Sequence, residues 1–172
     1  MVLVAERGAG GFSMREVARR AGVSPGAPRH HFPDRRALLT GVAVRVWDDL
    51  AQALSQTPLE GKRKARIRSC ASTYVAEALA NPGRFALVAG GIAVDSADPD
   101  LGRARERVLA VLGAEIEGET PDARRSAAIA LWSLVHGFAV LALDGAFGST
   151  GNEAAERAAE ALLPAALACV RL

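Results

Sequence analysis

Apolar residues recur at helical spacing along nearly the whole chain. No segment alternates apolar and polar residues between turns, as a half-buried strand would. In residues 61–80, Ile67, Cys70, Ala71, Tyr74, Val75, Ala78 and Leu79 follow the i, i+3, i+4, i+7 rule and share one helical face. Start and stop residues divide the rest of the chain. Residues 2–7 read as the tail of a helix stopped by Gly8, with Gly10 and Gly11 in the turn. Ser13 and Glu16 form a capping box for a helix to about residue 21, closed by Gly22. Ser24 is expected to cap the next helix, with Pro25 at its first position and its end near His31. Pro33 breaks the chain, Asp34 caps a long helix to about Ser55, and Pro58 ends it. Asn81, Pro82 and Gly83 read as a turn before a short helix over 84–89. A helix over 100–117 carries Leu101, Ala104, Val108, Val111 and Leu112 on its inner stripe. Pro121 opens the next helix, and the last spans 152–170 with a kink at Pro164.

Residues 127–143 are apolar on every side apart from Ser133, His136 and Gly137. A membrane span needs about 20 apolar residues. This run is shorter, so burial between a domain core and a second subunit explains it better. The last helix carries eight alanines (Ala154, Ala155, Ala158, Ala159, Ala161, Ala165, Ala166 and Ala168), so another helix can approach it closely. Two such helices from each of two chains would make a four-helix interface and a homodimer. The alternative is a simple intrachain core.

Composition agrees with helices in close contact: 172 residues, 36 of them alanine, with only 5% aromatic. Half the residues are apolar and 23% charged, which excludes disorder as the main state. The apolar run at the start is too short for a secretory signal. Cys70 and Cys169 are isolated and lack metal-ligand spacing, so they read as buried free thiols in a reducing cytoplasm. The net charge of +2 conceals an asymmetry. Residues 1–36 hold seven arginines against three carboxylates, whereas the remainder holds 14 basic and 16 acidic residues. A basic head on a mildly acidic body points to a polyanion partner.

The segment 13–24 sharpens that indication. Two helices meeting at a steep angle need a small residue where they touch, which Ala18 supplies. The turn needs a residue that tolerates positive φ, which Gly22 supplies. Val17 and Val23 supply inward-facing apolar contacts. This is helix-turn-helix spacing, which presents a second helix to the DNA major groove.

The stretch 11–39, including Val23-Ser24-Pro25-Gly26-Ala27-Pro28 and His31-Phe32-Pro33-Asp34-Arg35, resembles the DNA-binding domain of the TetR family of transcriptional regulators without a gap. Leu131-Trp132-Ser133-Leu134-Val135-His136-Gly137, followed by Leu143-Asp144-Gly145, resembles the sensing and dimerisation domain of a TetR subgroup named for Trp, His and Gly. The resemblance implies an all-α chain in two parts. Residues 1–40 would be a three-helix DNA-binding domain with a truncated first helix. A long helix would join it to a ligand-sensing and dimerising helical domain over 41–172. It also implies DNA contacts from Ser13, Arg15, Ser24, Pro25, Gly26, Arg29, His30 and Arg35. Arg29 can pair with guanine or phosphate, while Arg15 and Arg35 would clamp phosphates. His31 and Phe32 are expected to lock the recognition helix by packing.

Two departures from the family pattern stand out. Arg29 replaces an aromatic residue, commonly Tyr, which alters the reading surface. The first helix is also short, about two turns over residues 1–7, which would weaken the grip on DNA. In the sensing part, Trp47, Tyr74, Phe85, Trp132, His136 and Phe138 are the candidate ligand-lining residues, each of which could instead be plain core. No motif pairs His30, His31 or His136 with a nucleophile and an acid, and no phosphate loop or metal motif occurs. The expectation is therefore a cytoplasmic, non-enzymatic regulator without cofactor, metal or membrane anchor. It would be a homodimeric repressor on palindromic operator DNA, released by an unidentified small-molecule inducer. The alternative is a helical ligand-binding or interaction dimer whose DNA binding is weakened by the short first helix.

Overall fold

The computed structural model describes residues 11–58, 60–90, 94–114, 120–148 and 152–168, together with Leu3 and Ile116. All regular structure among the described residues is helical. The elements are α1 (Met14–Arg20), α2 (Pro28–His31), α3 (Arg35–Ser55) and α4 (Arg63–Ala80), then α5 (Pro82–Val88), α6 (Pro99–Gly113), α7 (Pro121–Leu143) and α8 (Asn152–Ala168). The helix expected at residues 2–7 lies outside the described residues, except that Leu3 is helical and buried. The chain divides into two compact units, Met1–Trp47 with Asn81–Arg105, and Asp48–Ala80 with Glu106–Leu172.

Local chemistry accounts for most helix ends. Ser13 Oγ accepts from Glu16 N–H at 3.2 Å and starts α1. Asp34 Oδ1 accepts from Ala37 N–H at 2.8 Å and starts α3. Thr120 Oγ1 accepts from Ala123 N–H at 3.1 Å, and Pro121 occupies the first turn of α7, where its missing donor costs nothing. The ends of α1 and α7 share one device. Val23 N–H donates to the Ala18 carbonyl and Gly22 N–H to the Arg19 carbonyl, with Gly22 at φ +67°. Ala146 N–H donates to Leu141 and Gly145 N–H to Ala142, with Gly145 at φ +72°. Each is a Schellman closure, which needs a left-handed residue after the cap and so selects glycine.

Three boundaries differ from the periodicity. The helix expected to start at Pro25 starts at Pro28, with Ala27 rather than Ser24 as its N-cap. Pro28 has no N–H to donate to the Ser24 carbonyl, and its ring crowds that carbonyl. The backbone over 24–30 closes with three-residue steps instead, Ala27 N–H to Ser24, Arg29 N–H to Gly26 and His30 N–H to Ala27. Pro82 and Gly83 lie in the first turn of α5 and not in a turn before it, because proline suits a first helical position. Finally, α6 stops at Gly113, short of residue 117. A Cβ at Gly113 would stand 3.1 Å from Ala128 Cβ, so the end of α6 lies close against α7.

In the first unit, Phe12, Ala18, Leu38, Leu39, Ala43, Trp47, Phe85 and Leu101 are buried. In the second, α4, α7 and α8 pack on one another. The seven α4 residues expected inside are all buried, as are Leu131, Val135 and Ala139 of α7 and Ala155, Ala159 and Leu163 of α8. Two arginines brace this unit. Arg107 donates to Asp48 through Nε at 2.8 Å and Nη2 at 2.5 Å. Arg125 grips both Glu106 oxygens at 2.8 and 2.7 Å and holds that carboxyl below its usual pKa. By length and composition α7 could cross a membrane, with a mean hydropathy of 1.9 over its best window. Helices at the core of soluble proteins pass the same test.

Candidate nucleic-acid interface

The first unit places α1 against α2, with the glycine-closed turn between them. Ala18 is 1% exposed where the two elements meet. Phe32, just after α2, holds this short helix against α3. A Cβ at Gly41 would come within 3.0 Å of the Phe32 ring, so the glycine makes room for it. Phe32 is thus a packing residue, as expected. His31 is not: it is exposed and belongs to the outer surface of α2. Val23, expected to face inward, is 46% exposed.

Of the residues expected to touch DNA, Ser13, Arg15, Ser24, Pro25, Gly26, Arg29 and His30 are all exposed. Five of them lie between the end of α1 and the end of α2, and Ser13 and Arg15 flank the start of α1. Arg35 is only half exposed. Its guanidinium lies 5.2 Å from the centroid of the buried Phe12 ring, a cation–π arrangement within the unit. The other arginines of the basic head separate by partner. Arg19 pairs with Glu16 at 3.7 Å, and Arg36 pairs with Asp95 at 3.1 Å. Asp95 N–H also donates to Thr40 Oγ1 at 2.8 Å, clipping the loop before α6 onto α3. Arg15 and Arg29 are exposed, and neither pairs with a carboxylate among the described residues.

The candidate sensing residues fall in both units. Trp47 and Phe85 are buried in the first. Tyr74, Trp132, His136 and Phe138 belong to the second, where three of them form one polar cluster. Trp132 Nε1–H donates to Tyr74 Oη at 3.1 Å, and Tyr74 Oη lies 2.8 Å from His136 Nδ1. The indole can only donate, so the Tyr74 oxygen accepts that proton, and the direction of the Tyr74–His136 hydrogen bond follows the imidazole tautomer. Burial pushes the Tyr74 phenol well above its ordinary pKa of 10.0, and the Trp132 hydrogen bond offsets part of that rise. Phe138 packs on Phe147 with centroids 4.9 Å apart. None of these residues lines the groove of about 590 Å³ between α4 and α8, which sequence reasoning did not anticipate. The available signal was a second four-residue step on each helix, Ser72, Ala76 and Ala80 beside Glu156, Glu160 and Pro164.

Among the described residues no group of three His, Cys, Asp or Glu could hold a metal ion, and Cys70 is a buried thiol outside any disulfide.

Residues 1–42 match the family model for bacterial regulatory proteins of the tetR family, and residues 67–166 match a tetracyclin repressor-like C-terminal domain. No match is found among curated proteins. Among solved structures, a protein of unknown function from Rhodococcus sp. RHA1 is 25% identical, with a TM-score of 0.69 over 99% of this chain and 95% of that one. PfmR, a TetR family transcriptional regulator from Thermus thermophilus, is 20% identical, with a TM-score of 0.66 over 99% and 96%. A regulatory protein of the tetR family from Rhodococcus RHA1 is 20% identical, with a TM-score of 0.67 over 98% and 91%.

Proposed function

Because the chain belongs to the TetR family of transcriptional regulators, with its helix-turn-helix DNA-binding module, we propose that it is a ligand-responsive repressor acting on palindromic operator DNA as a homodimer. Residues 1–40 bind DNA, and residues 41–172 sense ligand and dimerise. The observation that carries this reading is the pair Arg15 and Arg29, two exposed guanidiniums on the α1–α2 surface without carboxylate partners among the described residues. Charges left unneutralised on such a surface attract phosphate, and the release of condensed counterions drives binding. Arg29 and His30 on α2 read the major groove; Arg15 positions the duplex through phosphate. Arg35 does less than a simple phosphate clamp would, because its guanidinium already lies over Phe12.

Exposed apolar residues on α7 and α8 support the homodimer. Ile129, Leu141 and Leu162 are 43%, 47% and 43% exposed. Ala130, Ser133, Gly137 and Leu141 follow one another at three- and four-residue steps, a flat flank of α7 that a second copy can approach. The inducer enters the second unit at the Tyr74–His136–Trp132 cluster, where one displaced hydrogen bond leaves a buried polar group unsatisfied and so transmits binding as a change of packing. The chain is read as a cytoplasmic regulator and not as an enzyme.

Fluorescence anisotropy on duplexes from the gene's own upstream region tests the proposal. The expected result is specific binding that weakens steeply with salt. Weak binding indifferent to sequence would refute it and favour a ligand-binding dimer without operator recognition.

A further inference from the structure

We propose that the groove between α4 and α8 is a second ligand site, separate from the Tyr74 cluster, and that it takes an amphipathic organic cation. The groove encloses about 590 Å³, within the range of sites that hold drug-sized molecules. Val75, Leu79 and Leu163 form an apolar floor, all buried, and Ala76 leaves the wall low. The exposed carboxylates of Glu156 and Glu160 line it one turn apart on α8. Neither pairs with a cation among the described residues, whereas Glu153, one turn earlier, has Arg157 at 3.8 Å. Like charges at four-residue spacing repel and weaken the helix that carries them. Pro164, which also lines the groove, has no N–H to give to the Glu160 carbonyl four residues earlier, so this flank offers a backbone acceptor too. No lysine or arginine lines the groove. An apolar body fits the floor, and a positive head relieves the repulsion on the lip.

The helical period keeps this groove clear of the proposed dimer contact. At 100° per residue, Glu156, Glu160 and Pro164 lie on one flank of the buried stripe Ala155, Ala159, Leu163 and Leu167. Exposed Leu162 lies on the opposite flank. The site therefore stays open when two copies meet through Leu162.

Tetraphenylphosphonium and tetraphenylborate, equal in shape and opposite in charge, are the probes. Calorimetric titration of the intact chain should show one saturable phosphonium site per chain, tighter than any borate binding by roughly tenfold or more. Glu156→Gln with Glu160→Gln should erase that preference, while Glu153→Gln should leave it intact. Circular dichroism confirms that each variant is folded. Ala76→Trp should fill the groove and abolish phosphonium binding without changing the mass by light scattering. Equal binding of the two ions, or phosphonium binding unchanged by the paired glutamine variant, would overturn the proposal. A changed mass for Ala76→Trp would also overturn it, by making the groove a contact between copies.

Discussion

Gly137 sits in the interior of α7, where glycine costs about 1 kcal/mol relative to alanine through backbone entropy. Nothing among the described residues demands it: a Cβ built there meets no atom of theirs within 4 Å. A residue that weakens its own helix without an intrachain reason makes sense if a second helix crosses over it. Interhelical axes lie about 8–10 Å apart, and the closest require small residues at the crossing. The substitution that exposes this is Gly137→Leu. Within one chain the leucine projects into open space and improves helix propensity by somewhat under 1 kcal/mol, so the melting temperature of dilute protein should hold or rise. In the dimer it is introduced twice by symmetry. Overpacking costs about 1–3 kcal/mol for each intrusion. Dimerisation should therefore weaken by roughly 2–6 kcal/mol, at least about thirtyfold in dissociation constant. Sedimentation equilibrium over a dilution series measures that constant, and circular dichroism checks the fold. A dissociation constant unchanged by Gly137→Leu would refute the α7 crossing and leave the glycine without explanation.

Other outcomes follow from the two sites. Gly22→Ala should cost about 1–2 kcal/mol in urea unfolding, because φ +67° strains any Cβ although the surrounding space is open; an unchanged midpoint would sink the Schellman argument. Arg29→Ala should weaken operator binding by about 1–3 kcal/mol if it reads a base, with sequence discrimination relaxed at one position; equal affinity for operator and scrambled DNA in both proteins would remove that role. Tyr74 is the chain's single tyrosine, so tyrosinate absorbance reports on it alone. Its pKa is raised in the folded state, so its contribution to stability is complete below pH 10, the unfolded value, and is lost as pH rises beyond it. Tyrosinate should appear only together with the loss of helical signal. A titration midpoint near pH 10 in an intact fold would mean that the phenol is not buried.

Helix ends written in local chemistry were legible in the sequence. Ser13, Asp34 and Gly22 act through partners within a few residues and Pro121 through its own missing donor, so spacing alone locates them. The start of α2 was misread because the decisive group is an absent one, the Pro28 N–H, which outweighs the capping potential of Ser24. The exposure of Val23 and His31, and the groove beside Glu160, depend on how helices face one another, which periodicity along one helix does not encode. The basic head shows the same division more sharply. Counting charge identified seven arginines on 36 residues, but charge that is already matched does little for a distant phosphate. Arg19 faces Glu16, Arg36 faces Asp95, and Arg35 lies on Phe12. Arg15 and Arg29, at opposite ends of one helix-turn-helix, are left exposed with no carboxylate partner among the described residues. It follows that neutralising Arg36 should perturb the loop at Asp95 more than DNA affinity, whereas neutralising Arg15 should lower affinity evenly across sequences and reduce the salt slope by about one unit. The two variants, measured side by side in one salt titration, separate the arginines that hold the unit together from those that hold DNA.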